Sequence, residues 1–96
     1  MTIFIAKLQV KEGREPELER LQAELAGLTH QHEPDTYVYD FLRSRDEPHT
    51  YVVYGRFKDE QAFQFHQATA FHERLVPHIV ACLAKDFEIA FYDFVA

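Results

Sequence analysis

The sequence predicts an α+β fold of the ferredoxin-like type, in which helices cover one face of a four-stranded antiparallel sheet. Two observations predict it. Apolar residues alternate with others in four short segments, and they recur every three or four positions in the segments between. The resulting order is βαββαβ, which is that of a split βαβ sandwich. A chain of 96 residues has room for one such unit, so we expect residues 1–96 to form a single domain.

The first strand and the first helix occupy the N-terminal third of the chain. Alternation predicts a strand over Ile3–Val10, with apolar side chains on both of its faces. Gly13 follows this segment, and Pro16 suits the first turn of a helix, where its missing N–H costs nothing. Leucines spaced by three and four positions then predict a helix that buries one stripe. They are Leu18, Leu21, Leu25 and Leu28.

Two central strands are predicted over Thr36–Arg45 and Thr50–Phe57, joined by a short polar turn. Alternation assigns a set of aromatic and small residues to the face that the helices cover. They are Ala6, Tyr37, Tyr39, Tyr51, Gly55 and Phe57. Small side chains beneath a helix leave a hollow, so we expect Ala6 and Gly55 to form the floor of an aromatic ligand cavity.

The C-terminal part of the chain predicts more helix and a final strand. One helix is predicted from Asp59 to about Ala68, and further helix over Phe71–Lys85. Pro77 lies inside the second segment and cannot donate the bond to Glu73 that a helix needs, so we expect a kink or a restart there. Alternation over Phe87–Val95 predicts the last strand.

Composition and charge exclude several classes of partner. The net charge of −6 argues against binding to a phosphate backbone, so we expect no nucleic-acid partner. No apolar run approaches the ~20 residues of a membrane span, and the N-terminus does not resemble a signal peptide. We therefore expect a cytoplasmic protein with no membrane partner. The single cysteine, Cys82, has no intrachain disulfide partner and is predicted to be a buried thiol.

The second face of the predicted sheet has no helix to cover it. The first and last strands are apolar on both faces, so this face would be a large exposed apolar patch. A second copy of the chain, packed sheet on sheet, removes that exposure, and we therefore expect a homodimer. The residues assigned to this face are Ile3, Ile5, Val38, Leu42, Val52, Tyr54, Tyr92 and Phe94.

Three patterns, at particular spacings, resemble a known family. They are a Val10–Gly13 turn into a Glu-rich helix, the segment Glu33-Pro34-Asp35-Thr36-Tyr37 before the second strand, and Tyr54-Gly55-Arg56-Phe57 followed by Ala62–His66 and Thr69–His72. In this order the chain resembles the antibiotic biosynthesis monooxygenase superfamily over about Ile3–Leu83. The resemblance implies a dimeric α+β barrel.

The resemblance also implies an activity, which is oxygen insertion into a quinol or polyketide-type aromatic without flavin, haem or metal. A deprotonated phenol of this kind can itself give an electron to O₂, so the protein needs only to hold the ring, take a proton and stabilise the anion. Haem-degrading relatives use an Asn and a Trp, and this chain contains neither. Gly55 and Phe57 stand where many members have Glu and Trp. That departure keeps open a non-oxidative role, as a small-molecule binding protein or an isomerase.

His66 is the candidate catalytic base. It lies one helical turn from Ala62, in a narrow stripe of small residues that lets the helix approach the sheet. An imidazole pointing into the hollow could exchange a proton near neutral pH. A histidine beside Phe63 and Phe65 is, however, more often a structural residue that is hydrogen-bonded within the core than a catalyst.

The other helical histidines predict no metal site. His66, His72 and His78 are spaced by six residues, and each such step turns a helix by roughly 600°, so they are not expected to share a face. No two histidines have the three- or four-residue spacing of a helical metal site. We therefore expect His72 and His78 to be structural or surface residues.

Overall fold

The four strands form one antiparallel sheet, which confirms the ferredoxin-like prediction. The computed structural model describes residues 1–96. The strands are β1 (Thr2–Gln9), β2 (Thr36–Arg43), β3 (Thr50–Phe57) and β4 (Glu88–Asp93). Their order across the sheet is β2-β3-β1-β4, and every neighbouring pair is antiparallel. The two outer strands are shorter than predicted, whereas β3 has the predicted bounds.

Three helices accompany the sheet, in agreement with the three predicted helical segments. They are α1 (Glu15–His32), α2 (Glu60–Ala68) and α3 (Ala70–Ala81). Pro16 lies in the first turn of α1, as predicted. Asp59 begins α2 by accepting a hydrogen bond from the Ala62 N–H at 2.9 Å, which satisfies one of the free donors of the first turn.

The break between α2 and α3 lies at Thr69, and the predicted restart at Pro77 is wrong. Thr69 has an extended backbone, and its hydroxyl accepts the His72 N–H at 3.2 Å as the N-cap of α3. The same hydroxyl donates to the carbonyl of His66 at 2.9 Å. α3 continues through Pro77 to Ala81. The proline removes only one backbone hydrogen bond, and the buried residues Leu75 and Ile79 hold the helix before and after it.

The core lies between the helices and one face of the sheet. The leucine stripe of α1 packs here, with Leu28 half-buried and the others buried. Cys82 is buried as predicted. The face of the sheet that meets the helices contributes Phe4, Tyr39 and Phe57, among others. The predicted amphipathic pattern of α1 is therefore confirmed.

A β-bulge at the start of β2 overturns the placement of Tyr37 beneath the helices. Thr36 pairs with Phe57 and Val38 pairs with Arg56, so Tyr37 is the extra residue of the bulge. Its side chain is 52% exposed, and Thr36 occupies the helix-facing position instead. The alternation resumes with Tyr39, which is buried.

The opposite face of the sheet is open. Its exposed apolar residues include Ile5, Leu42, Tyr92 and Phe94, and the Arg56 guanidinium lies 4.6 Å from the centre of the Phe94 ring. None of the three helices combines the length and the apolar content that a membrane crossing requires.

Candidate active site

A largely apolar cavity lies between the sheet and the three helices. Its volume is about 130 Å³, and its lining comes from all four strands, all three helices and the segment that leads into β4. Twelve of its sixteen lining residues are hydrophobic; the others are Gln22, His66, Gln67 and His72. A cavity of this type, apolar with a few convergent polar groups, is the usual form of a small-molecule site.

Glu33 and His66 form a buried pair, of which His66 lines this cavity and Glu33 does not. Nδ1 of His66 lies 3.0 Å and 2.9 Å from the two carboxylate oxygens of Glu33. A carboxylate only accepts hydrogen bonds, so it holds a proton on Nδ1 and leaves Nε2 free to accept another. Both side chains are 2% exposed, so the two groups are screened from water and depend on each other.

Local structure explains why Glu33 can reach His66. Glu33 directly follows α1, and its N–H donates to the carbonyl of Thr29 at 2.9 Å, so the C-terminus of the helix fixes its position. The hydroxyl of Thr36 donates to Oε1 of Glu33 at 2.8 Å. Thr36 faces the helices because of the bulge at Tyr37. The bulge therefore supplies one of the hydrogen bonds that hold the carboxylate.

His72 lies next to His66, which overturns the expectation that the two histidines are separated. The break at Thr69 interrupts the helical phase, and the two ring centres are 4.8 Å apart at an angle of 75°. Burial and the neighbouring His66 lower the pKa of His72 to about 4. His72 is thus a neutral imidazole at neutral pH, and it lines the same cavity.

Aromatic rings surround His66. The Tyr39 ring centre is 4.9 Å from it, and the Phe57 ring centre is 5.4 Å from it. Burial, with the nearby charge of Glu33, raises the pKa of the Tyr39 hydroxyl, so this phenol remains protonated over the physiological pH range. A protonated phenol that lines the cavity can donate a hydrogen bond to a ligand.

The structure brings together only some of the residues that the sequence assigns to the site. His66, Tyr39 and Ala6 line the cavity. Phe57 is fully buried behind them and does not line it. Tyr51 lines a different pocket and donates to Oε2 of Glu19 at 2.6 Å, and burial with this bond raises its pKa to about 12.

Gly55 does not provide the predicted hollow. It pairs directly with Phe4 across the strands, and the Phe4 ring lies over it. A Cβ built on Gly55 would come within 2.5 Å of the ring carbon Cε2 of Phe4. The glycine is therefore required by the packing of an aromatic ring, and the space above it is filled.

Sequence reasoning missed Glu33, His72 and Gln22 as site residues. Glu33 stood in a recognised motif, but its pairing with His66 joins positions far apart in the chain. No group of three His, Cys, Asp or Glu side chains is arranged to hold a metal ion.

Comparison with known proteins agrees with this architecture. The family model described as antibiotic biosynthesis monooxygenase matches residues 1–79. A solved structure named antibiotic biosynthesis monooxygenase is 29% identical, with a TM-score of 0.91 and full coverage of both chains. A candidate antibiotic biosynthesis monooxygenase from Caulobacter crescentus is 24% identical, with a TM-score of 0.95 over 99% of this chain and 90% of that one. A conserved protein from Methanosarcina mazei is 25% identical, with a TM-score of 0.90 over 95% and 89%. No protein of curated function matches.

Proposed function

The chain belongs to the antibiotic biosynthesis monooxygenase family, and we propose that it oxygenates a quinol or polyketide-type aromatic in the His66 cavity without a cofactor. The observation that carries this proposal is the buried Glu33–His66 pair, whose histidine lines an apolar cavity. A histidine that is oriented by a carboxylate and free at its other nitrogen has the arrangement of a general base.

The reaction needs no external reductant, because the substrate supplies the electrons. For a 1,4-dihydroxybenzene, one atom of O₂ becomes the oxygen of a new hydroxyl group on the ring, and the other leaves as water. The product is the hydroxyquinone. The substrate gives up four electrons and, in net, two hydrogens. Both hydrogens leave in the water, and one C–H bond of the ring is replaced by a C–O bond whose hydroxyl keeps one hydrogen.

 Written as formulas, C₆H₆O₂ and O₂ give C₆H₄O₃ and H₂O, so the four-electron reduction of O₂ is matched by a four-electron oxidation of the ring.

Four polar side chains in and beside the cavity have roles in this proposal. Glu33 holds the proton on Nδ1 of His66, and Nε2 removes the proton of a substrate hydroxyl. The carboxylate then stabilises the imidazolium that forms. His72 is neutral and Tyr39 is a protonated phenol, so both are able to donate a hydrogen bond to the substrate anion without adding charge to it. Ala6 and Tyr39 contribute to the surface that holds the ring.

The proposal includes a homodimer formed through the open face of the sheet. Exposed apolar side chains on this face support it, because a second copy packed against them would remove them from water. We expect light scattering at micromolar concentration to give the mass of a dimer. The mass of a monomer would contradict this part of the proposal.

The test of the activity is O₂ uptake by the metal-free protein with a panel of hydroquinone-type compounds. His66→Gln is the informative variant, because its amide can still donate to the buried Glu33 carboxylate but cannot act as a base. We expect uptake by the unaltered protein and a fall of about 10²- to 10⁴-fold in the variant. His78→Gln, at an exposed histidine of α3, is the control and is expected to keep full activity.

Two results would contradict the proposed oxygenation. One is full turnover by His66→Gln. The other is a thermal shift with these compounds but no O₂ uptake, which would favour a non-oxidative binding protein or an isomerase.

A further inference from the structure

Gln22 is a buried polar side chain that the proposed chemistry does not use. It lies on α1 and lines the His66 cavity, and only 3% of the residue is exposed. Its amide oxygen is buried and has no hydrogen-bond partner. Leucines of the core stripe flank it on the helix, so a glutamine here interrupts an apolar surface.

An unpaired buried amide is unfavourable, and native proteins contain few of them. Such a group is expected to persist where a ligand or a water completes its hydrogen bonds. The amide offers an acceptor on one side and donors on the other. A hydroxyl fits either orientation, because it both donates and accepts.

The size of the cavity restricts the ligand further. Its volume is about 130 Å³. An apolar protein cavity of about 150 Å³ holds a single benzene ring. One aromatic ring therefore fills this volume, and a fused second ring would extend beyond it.

We propose that Gln22 anchors a second hydroxyl of a one-ring dihydroxyaromatic whose first hydroxyl faces His66. This inference rests on the proposed function, because it concerns the substrate of the same site. It selects one-ring quinols over polycyclic aromatics. Gln22 acts in binding and selectivity, whereas His66 acts on the proton.

The experiment compares anaerobic binding of hydroquinone and phenol, measured by calorimetry, so that binding is separated from oxidation. One lost hydrogen bond is expected to make phenol bind about 3- to 10-fold more weakly to the unaltered protein. In Gln22→Leu the two ligands are expected to bind equally. A hydroquinone preference that survives Gln22→Leu, or that is absent from the unaltered protein, would overturn the role of Gln22.

Two controls make the result specific. Gln64→Leu changes an exposed glutamine of α2 that does not line the cavity, and it should keep the preference. Gln22→Leu should unfold at the same temperature or higher, because it removes an unpaired buried amide.

Naphthohydroquinone is expected to bind at least about threefold more weakly than hydroquinone; equal or tighter binding overturns the one-ring limit. Binding without O₂ uptake would contradict the oxygenation and leave the Gln22 test intact.

Discussion

Replacement of Glu33 by glutamine should impair turnover much more than binding. The substitution keeps the shape of the side chain, and the amide oxygen can still accept from Thr36 and from Nδ1 of His66. What it removes is the negative charge that lies 2.9 Å from the imidazole. In the proposed reaction Glu33 is therefore a positioning residue, which acts on the substrate through His66.

The magnitude follows from that contact. A hydrogen bond to a charged group contributes about 1.5–3 kcal/mol. If this stabilisation is present when the imidazolium forms and is lost in the variant, kcat falls by roughly 10- to 150-fold. The Kd for hydroquinone measured without O₂ should change little, since Glu33 does not line the cavity.

The assay is the initial rate of O₂ uptake against substrate concentration, with binding measured separately under anaerobic conditions. Asp35→Asn is the matched control, because it removes an exposed carboxylate two positions away, and it should leave kcat unchanged. An unchanged kcat in Glu33→Gln would refute the role of the carboxylate. A loss that appears only in Kd would refute it as well.

Three further outcomes are expected. The pKa of His72 is lowered from 6.5 to about 4 in the folded protein, so the unfolded chain binds a proton more readily, and stability should fall as the pH drops from 6.5 to about 4. Because the group is partly exposed, the free energy of unfolding should fall by about 1–2 kcal/mol over this range. Urea unfolding at several pH values should show a smaller fall in His72→Gln than in the unaltered protein. Tyr51→Phe removes the hydrogen bond to Glu19, and it should lower the free energy of unfolding by about 0.5–1.5 kcal/mol without changing kcat; an altered kcat would place Tyr51 in the site. Gly55→Ala forces its Cβ against the Phe4 ring, and chemical denaturation should show a loss of about 1–3 kcal/mol; unchanged stability would mean that the ring moves aside freely.

Local patterns predicted the architecture well, because helix and strand periodicity follow directly from which residues the core buries. The stripe from Leu18 to Leu28 and the bounds of β3 are examples. The same reasoning placed Tyr37 wrongly, since one extra residue in β2 reverses the alternation before it. It also separated His72 from His66, because a spacing of six residues does not give the geometry of the break at Thr69, which brings the two rings together.

The candidate site depends on contacts that periodicity does not contain. Glu33 meets His66 through the fold, although the two residues are far apart in the sequence. Gly55 suggested free space, but its cross-strand neighbour Phe4 fills that space. Only the register of the sheet shows whether the space above Gly55 is empty or is filled by a side chain of the neighbouring strand. His66 was identified from the sequence as a candidate, whereas the groups that would orient and assist it were not.

The central claim is that the His66 cavity inserts one atom of O₂ into a one-ring quinol. The most direct test is turnover of hydroquinone by the metal-free protein under ¹⁸O₂, followed by mass spectrometry of the product. The expected result is one labelled oxygen in the hydroxyquinone, at a rate that falls in His66→Gln. Oxidation to the unlabelled quinone alone, or labelling that is unaffected by His66→Gln, would contradict the account.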